Sequence, residues 1–146
     1  MILRNCISRR AVLCGAGALL AMPARAGKMY TPGRGDPNRK AILNAIRPRI
    51  EAEMRGPVEF VVRVLNVLDG WAFAVLEPQR PGGRPIDVYE TIHAQDADFM
   101  DGLTVYALVR WSGGGWGLVE SVTGPTDVAY DPWPEWYGAP RKIFGY

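Results

Sequence analysis

The chain has 146 residues, 17 basic against 15 acidic side chains, two cysteines and one histidine. That length supports one hydrophobic core and hardly two, and the near-balance of charge gives a nucleic-acid-binding reading no electrostatic footing. Both cysteines, Cys6 and Cys14, fall near the start, so the rest of the chain has no disulfide, thiolate zinc site or cysteine nucleophile open to it.

Residues 1–26 have the layout of an export signal. Arg4, Arg9 and Arg10 form a positive front without an acidic residue, and AVLCGAGALLAM (11–22) is an unbroken apolar run. Pro23 ends any helix, and Ala24-Arg25-Ala26 supplies the small-x-small pattern that a signal peptidase reads, so cleavage is expected after Ala26. The apolar run is too short to cross roughly 30 Å of hydrocarbon, which takes about 20 residues, so no transmembrane segment is expected in the mature chain. Ser8-Arg9-Arg10-Ala11-Val12-Leu13 resembles the twin-arginine signal, although Val12 stands where Phe is preferred. The expected location is the periplasm. Arginines 4, 9, 10 and 25 leave with the signal, so the 17 basic residues become 13 against 15 acidic ones, and the net charge turns to −2.

After the leader, GKMYTPGRGD (27–36) is rich in Gly and Pro and reads as an extended arm. Asp36-Pro37 then signals a helix start: a carboxylate to cap the first amides, followed by a proline whose missing N–H costs nothing at the first position. Apolar residues at 42, 43, 46, 50 and 54 keep helical spacing. Pro48 lies inside that pattern and is expected to kink or split the helix, since it cannot bond to the Asn44 carbonyl. Gly56-Pro57 ends it.

From Val58 the period changes to two. VEFVVRVLNVL (58–68) places Val58, Phe60, Val62 and Val64 on one face, and Asp69-Gly70 predicts a tight hairpin into WAFAVLE (71–77). QRPGGRP (79–85) reads as a loop, IDVYETI (86–92) as a short strand, and HAQDADFMDG (93–102) as a polar turn. TVYALVRW (104–111) and WGLVESVTG (116–124) form a second hairpin in which Trp111 and Trp116 face each other. The tail from Pro125, rich in Pro, Trp and Tyr, is expected to be irregular and to wrap back onto the domain. A single α+β domain over 37–146 follows, with the helix lying across a curved antiparallel meander of four or five strands. Cystatin-like and NTF2-like superfolds share that layout.

Three stretches carry a further resemblance: YTPGRGDPNRKAILNAIRP (30–48), PVEFVVRVLNVLDGWAFAVLEP (57–78) and GPTDVAYDPWPEWYGAP (124–140). Together they resemble a group of small exported bacterial proteins of uncharacterised function. The resemblance implies a compact periplasmic domain and supplies no catalytic residue.

Four groups of residues carry what chemistry the sequence offers. His93 precedes Asp96, Asp98 and Asp101, three carboxylates that are weak candidates for a hard cation. Their spacing departs from a calcium loop, and a solvated turn is the expectation. The aromatic set of Trp71, Trp111, Trp116, Trp133, Trp136, Tyr130, Tyr137 and Tyr146 suits either a core or a ligand face. Arg39, Lys40, Arg47 and Arg49 read as a solvated helix face near Glu51 and Glu53. Glu59, Arg63, Glu77 and Glu120 would matter only if the sheet brought them together.

The sequence therefore points to a non-enzymatic binding or accessory domain, with the sheet or the tail as its contact surface. Tyr106, Arg110, Trp133, Trp136 and His93 are the candidate binding residues, and the partner is an unidentified protein or small molecule. The chain is expected to be a monomer or small homo-oligomer, and nothing calls for a cofactor. The alternative is a small NTF2-like enzyme or carrier with a polar pocket drawn from Tyr106, Arg110, Glu120, Asp127 and His93. That pocket would need to enclose about 300 Å³ or more.

Overall fold

The computed structural model describes residues 27–146. Arg9, Arg10, Ala24 and Ala26, the residues expected to act in an export signal, lie outside that range.

The helix α1, Pro37–Met54, begins as its sequence dictates: the Asp36 carboxylate accepts from the Asn38 amide at 2.8 Å, with Pro37 next to it. It ends at Arg55, whose left-handed φ of 52° lets the amides of Arg55 and Gly56 close back on Ala52 and Glu51. Pro48 sits inside this single helix and does not divide it. Pro48 and Asn44 are both exposed, so water can take the carbonyl bond that proline forgoes.

The sheet is an antiparallel meander of β1 (Glu59–Leu68), β2 (Trp71–Gln79), β3 (Val105–Trp111) and β4 (Trp116–Thr123), in that order and not closed. The β1–β2 turn is Asp69-Gly70, both at positive φ (50° and 76°), the geometry that matches the twist of a two-residue hairpin. Two strands depart from simple alternation. Val62 pairs with Leu76 and Val64 with Val75, so Arg63 is the extra residue of a bulge. The bulge reverses the face of everything beyond it. Val58, Phe60 and Val62 lie toward the helix, but Val64 lies on the opposite face, against the expectation of one continuous stripe. A second bulge in β4, between the pairs Leu108–Glu120 and Val109–Leu118, does the same there.

Both faces of the sheet are covered. On one, Ile42, Ile46, Ile50 and Met54 of α1 pack over Ala72, Ala74, Leu76, Val105, Ala107 and Val109. The alanines leave room for the branched side chains above them. On the other, Trp71, Phe73 and Leu108 meet Trp133, Ala139, Ile143 and Phe144 from the tail. The tail is more regular than its composition suggests: it holds a short helix α2 (Trp133–Tyr137) and a 3₁₀ turn at Arg141–Phe144. Asn66 Nδ2 donates to the Ile143 carbonyl at 2.8 Å and anchors it to β1.

Residues 86–92 are not a strand. They hold a 3₁₀ turn, Val88–Glu90, because the Asp87 carboxylate accepts from the Tyr89 amide at 2.9 Å and the Thr91 hydroxyl donates to the Val88 carbonyl at 2.7 Å. A second 3₁₀ segment, Ala94–Phe99, follows in the stretch read as a turn.

Candidate functional site

The residues proposed for a polar pocket do not meet. Tyr106 is stacked on Tyr130 (5.1 Å between centroids) within the aromatic cluster under the tail, where burial foremost, with help from Tyr130, Glu77 and Asp101, raises its phenol pKa. Arg110 lies on the same face, its guanidinium 4.9 Å above the Trp71 ring. Glu120 accepts from the Tyr137 hydroxyl at 2.6 Å and from the Ser121 amide at 2.9 Å. Asp127 stands apart on an open hollow of the tail with Asp131 and Tyr146. His93 is on the helix side of the sheet, bonded to Glu53.

The other proposed groups are equally dispersed. Trp133 is buried at 2% exposure, whereas Trp136 is 68% exposed beside it. Asp96, Asp98 and Asp101 all point to solvent. Among the described residues, no three His, Cys, Asp or Glu side chains are gathered as a metal site. Glu59 accepts from the Gly82 amide at 3.2 Å and Glu77 from the Thr104 hydroxyl at 2.9 Å, so these carboxylates secure separate loops.

Two polar groupings escape the sequence reading. The first is Glu53, expected on the solvated face of α1 but only 6% exposed. Its Oε1 accepts from Arg49 Nε at 2.7 Å; its Oε2 accepts from the Thr123 hydroxyl at 2.7 Å and lies 3.2 Å from His93 Nε2. Burial pushes its pKa up, but the bonds from Thr123, Arg49 and His93 outweigh it and hold the carboxyl below its ordinary value. The Glu53 carbonyl also accepts from the Ile92 amide at 3.0 Å. The cluster thereby ties the end of α1, the 88–99 segment and the end of β4 together. Its position was legible: 53 follows 46 and 50 at helical spacing, on the apolar side.

The second is an aromatic cleft where the arm crosses the hairpin ends. Tyr30 bridges Val67 with bonds of 3.0 and 2.9 Å, which adds the arm to the free edge of β1. Trp111 and Trp116 pair across the β3–β4 end as expected, their rings 5.7 Å apart and near-perpendicular at 70°. Trp116 Nε1 donates to Asn38 Oδ1 at 3.3 Å, and Asn38 Nδ2 donates to the Tyr30 hydroxyl at 2.9 Å. One asparagine at the start of α1 thus orients two rings. Tyr30, Asn38, Asp69, Trp111 and Trp116, with Lys28, line a cavity of about 340 Å³. Tyr30 is 42% and Trp111 46% exposed. Polarised rings with a carboxylate and an ammonium at the rim suit a flat apolar or amphipathic group, such as a side chain or a sugar ring.

A larger groove of about 500 Å³ runs along α1 between Arg34, Arg39, Lys40, Leu43 and Arg47. Two of its arginines hold the fold: Arg39 donates to the Pro32 carbonyl at 3.2 Å, and Arg47 donates to the Val58 carbonyl and covers the Phe60 ring. Two of its cations are therefore already engaged, which argues for the aromatic cleft as the better-formed site. Comparison of the chain with protein-family models, with curated proteins and with solved structures gives no match.

Proposed function

We propose that the protein is a small exported, periplasmic binding or accessory domain without enzymatic activity, and that the cleft of Tyr30, Trp111 and Trp116 is its contact surface. The observation that carries the reading is the cleft itself. The exposed rings of Tyr30 and Trp111 and the half-buried ring of Trp116, with Tyr30 and Trp116 oriented by Asn38, stand around a cavity at the edge of a sheet whose two faces are otherwise covered. The dispersal of Tyr106, Arg110, Glu120, Asp127 and His93 removes the support that a polar-pocket enzyme or carrier of NTF2-like layout would need. The likeness to cystatin-like and NTF2-like proteins rests on layout alone: one long helix before an antiparallel meander. A fold-level likeness of this kind carries no activity with it. The bound group is a protein side chain or a small amphipathic molecule, and the domain works as a monomer or small homo-oligomer.

Site-specific photo-crosslinking in cells expressing the full chain tests the surface. A crosslinker at the exposed position 28, on the rim of the cleft, is expected to give a discrete adduct, and one at the remote, exposed position 63 none. Adducts at 63 matching those at 28, or none at 28, would overturn the assignment.

A further inference from the structure

At the mouth of the cleft, the Gly27 backbone nitrogen donates to Asp69 Oδ1 at 2.6 Å, a close approach between groups 42 residues apart. Both partners are held in place. The two backbone bonds between Tyr30 and Val67 fix the arm three residues further on, and the positive-φ turn fixes Asp69. A Cβ at position 27 would stand 2.9 Å from Asp69 Oδ1, so any larger residue there would have to displace that carboxylate. This nitrogen is also the atom that cleavage after Ala26 would free.

We propose that Gly27 is the first residue of the working protein and that its freed α-ammonium is held by the Asp69 carboxylate, so that removal of the leader strengthens the tie between the start of the arm and the β1–β2 turn at the mouth of the aromatic cleft. The proposal rests on the export reading above. In the processing step, water adds to the Ala26 carbonyl and the Ala26–Gly27 C–N bond breaks. Ala26 leaves as a carboxylate, and the Gly27 nitrogen takes up both protons of the water as an ammonium. The bond from a neutral amide to the Asp69 carboxylate becomes an ion pair in which donor and acceptor are both charged. The ammonium also has further donors to turn toward the cleft.

The ion pair sets a direction for pH. An ammonium held by a carboxylate has a folded pKa above its unfolded value of about 7.7–8.0. Its stabilisation is therefore complete below that value and is lost as pH rises through the folded one. Lys28 and the Tyr30 hydroxyl are the other titratable groups lining the cleft. Both stay unchanged in the comparisons below and cancel.

The test begins with the full chain expressed in cells and the intact mass of the protein recovered from the periplasm, expected to start at Gly27. Thermal unfolding at pH 7 and pH 9.5 is then compared for this protein, for Asp69→Asn, and for a chain with one extra residue ahead of Gly27. Asn-Gly is as good a turn as Asp-Gly, so Asp69→Asn keeps the hairpin. The processed protein is expected to lose about 2–5 °C more than either comparison chain on going to pH 9.5, the size of one exposed ion pair. The same pH dependence in all three would overturn the proposal, as would a periplasmic chain starting elsewhere. If no processed chain reaches the periplasm, the export reading fails instead. Every element described lies within residues 27–146, so a chain released in vitro with Gly27 first still decides whether Asp69 holds the ammonium.

Discussion

Glu53 concentrates more interactions than any other charged residue described, and its chemistry predicts how the domain responds to acid. A carboxyl held below its ordinary value of 4.5 stabilises the fold above that pH and stops doing so as the pH falls through its folded value. The urea midpoint of the wild-type protein is therefore expected to fall between about pH 5 and pH 3. Glu53→Gln should flatten that part of the profile and cost about 1–3 kcal/mol at pH 7, because it withdraws charge from three buried or half-buried bonds. An unchanged acid limb would mean that other carboxylates set it. Trp111 and Trp116 make a contrasting pair at the same scale. Trp111 is exposed, so Trp111→Ala should abolish the adduct formed by a crosslinker at position 28 while changing stability by less than about 1 kcal/mol. A fall in stability without loss of the adduct would identify the ring as a structural prop.

Among the elements, α1 carries a built-in defect. Pro48 is exposed and withholds one backbone bond from Asn44, so Pro48→Ala should stabilise the domain by about 1–3 kcal/mol, read as a higher denaturant midpoint. A loss of stability would show that the proline fits a bend that the packing requires. The helix and the two hairpins were legible because their signals are local: Asp36-Pro37, the 42/46/50/54 spacing, Asp69-Gly70 and the facing tryptophans. What escaped depends on competition or on distance. Alternation in 86–92 reads as a strand, but Asp87 captures the Tyr89 amide and Thr91 the Val88 carbonyl before any pairing forms. Arg63 carries no mark of a bulge, yet one extra residue there sends Val64 to the other face. The candidate site was half visible. Trp111 and Trp116 announce themselves, whereas Tyr30 and Asn38 join them only through bonds that no local pattern encodes.

For the whole molecule, the sheet works as a middle layer with a different cover on each side, and the second cover is the tail. Trp133, Ile143 and Phe144 are its buried anchors, with the Phe144 ring tilted at 49° to Phe73, 4.7 Å between centroids. Trp133→Ala should therefore cost about 3–5 kcal/mol, and deleting 125–146 should expose Phe73 and Leu108 and leave a poorly folded, aggregating chain. A truncated protein with an unchanged melting temperature would mark the tail as a detachable ligand motif. With both faces committed, the hairpin ends and the arm are the surface we propose for meeting a partner, and the proposed export would place that meeting outside the cytoplasm. Native mass spectrometry of the protein recovered from the periplasm tests this most directly. The account predicts a chain beginning at Gly27 that carries a reproducible bound mass, lost on Trp111→Ala. A full-length chain confined to the cytoplasm, or a bound mass indifferent to Trp111, would contradict it.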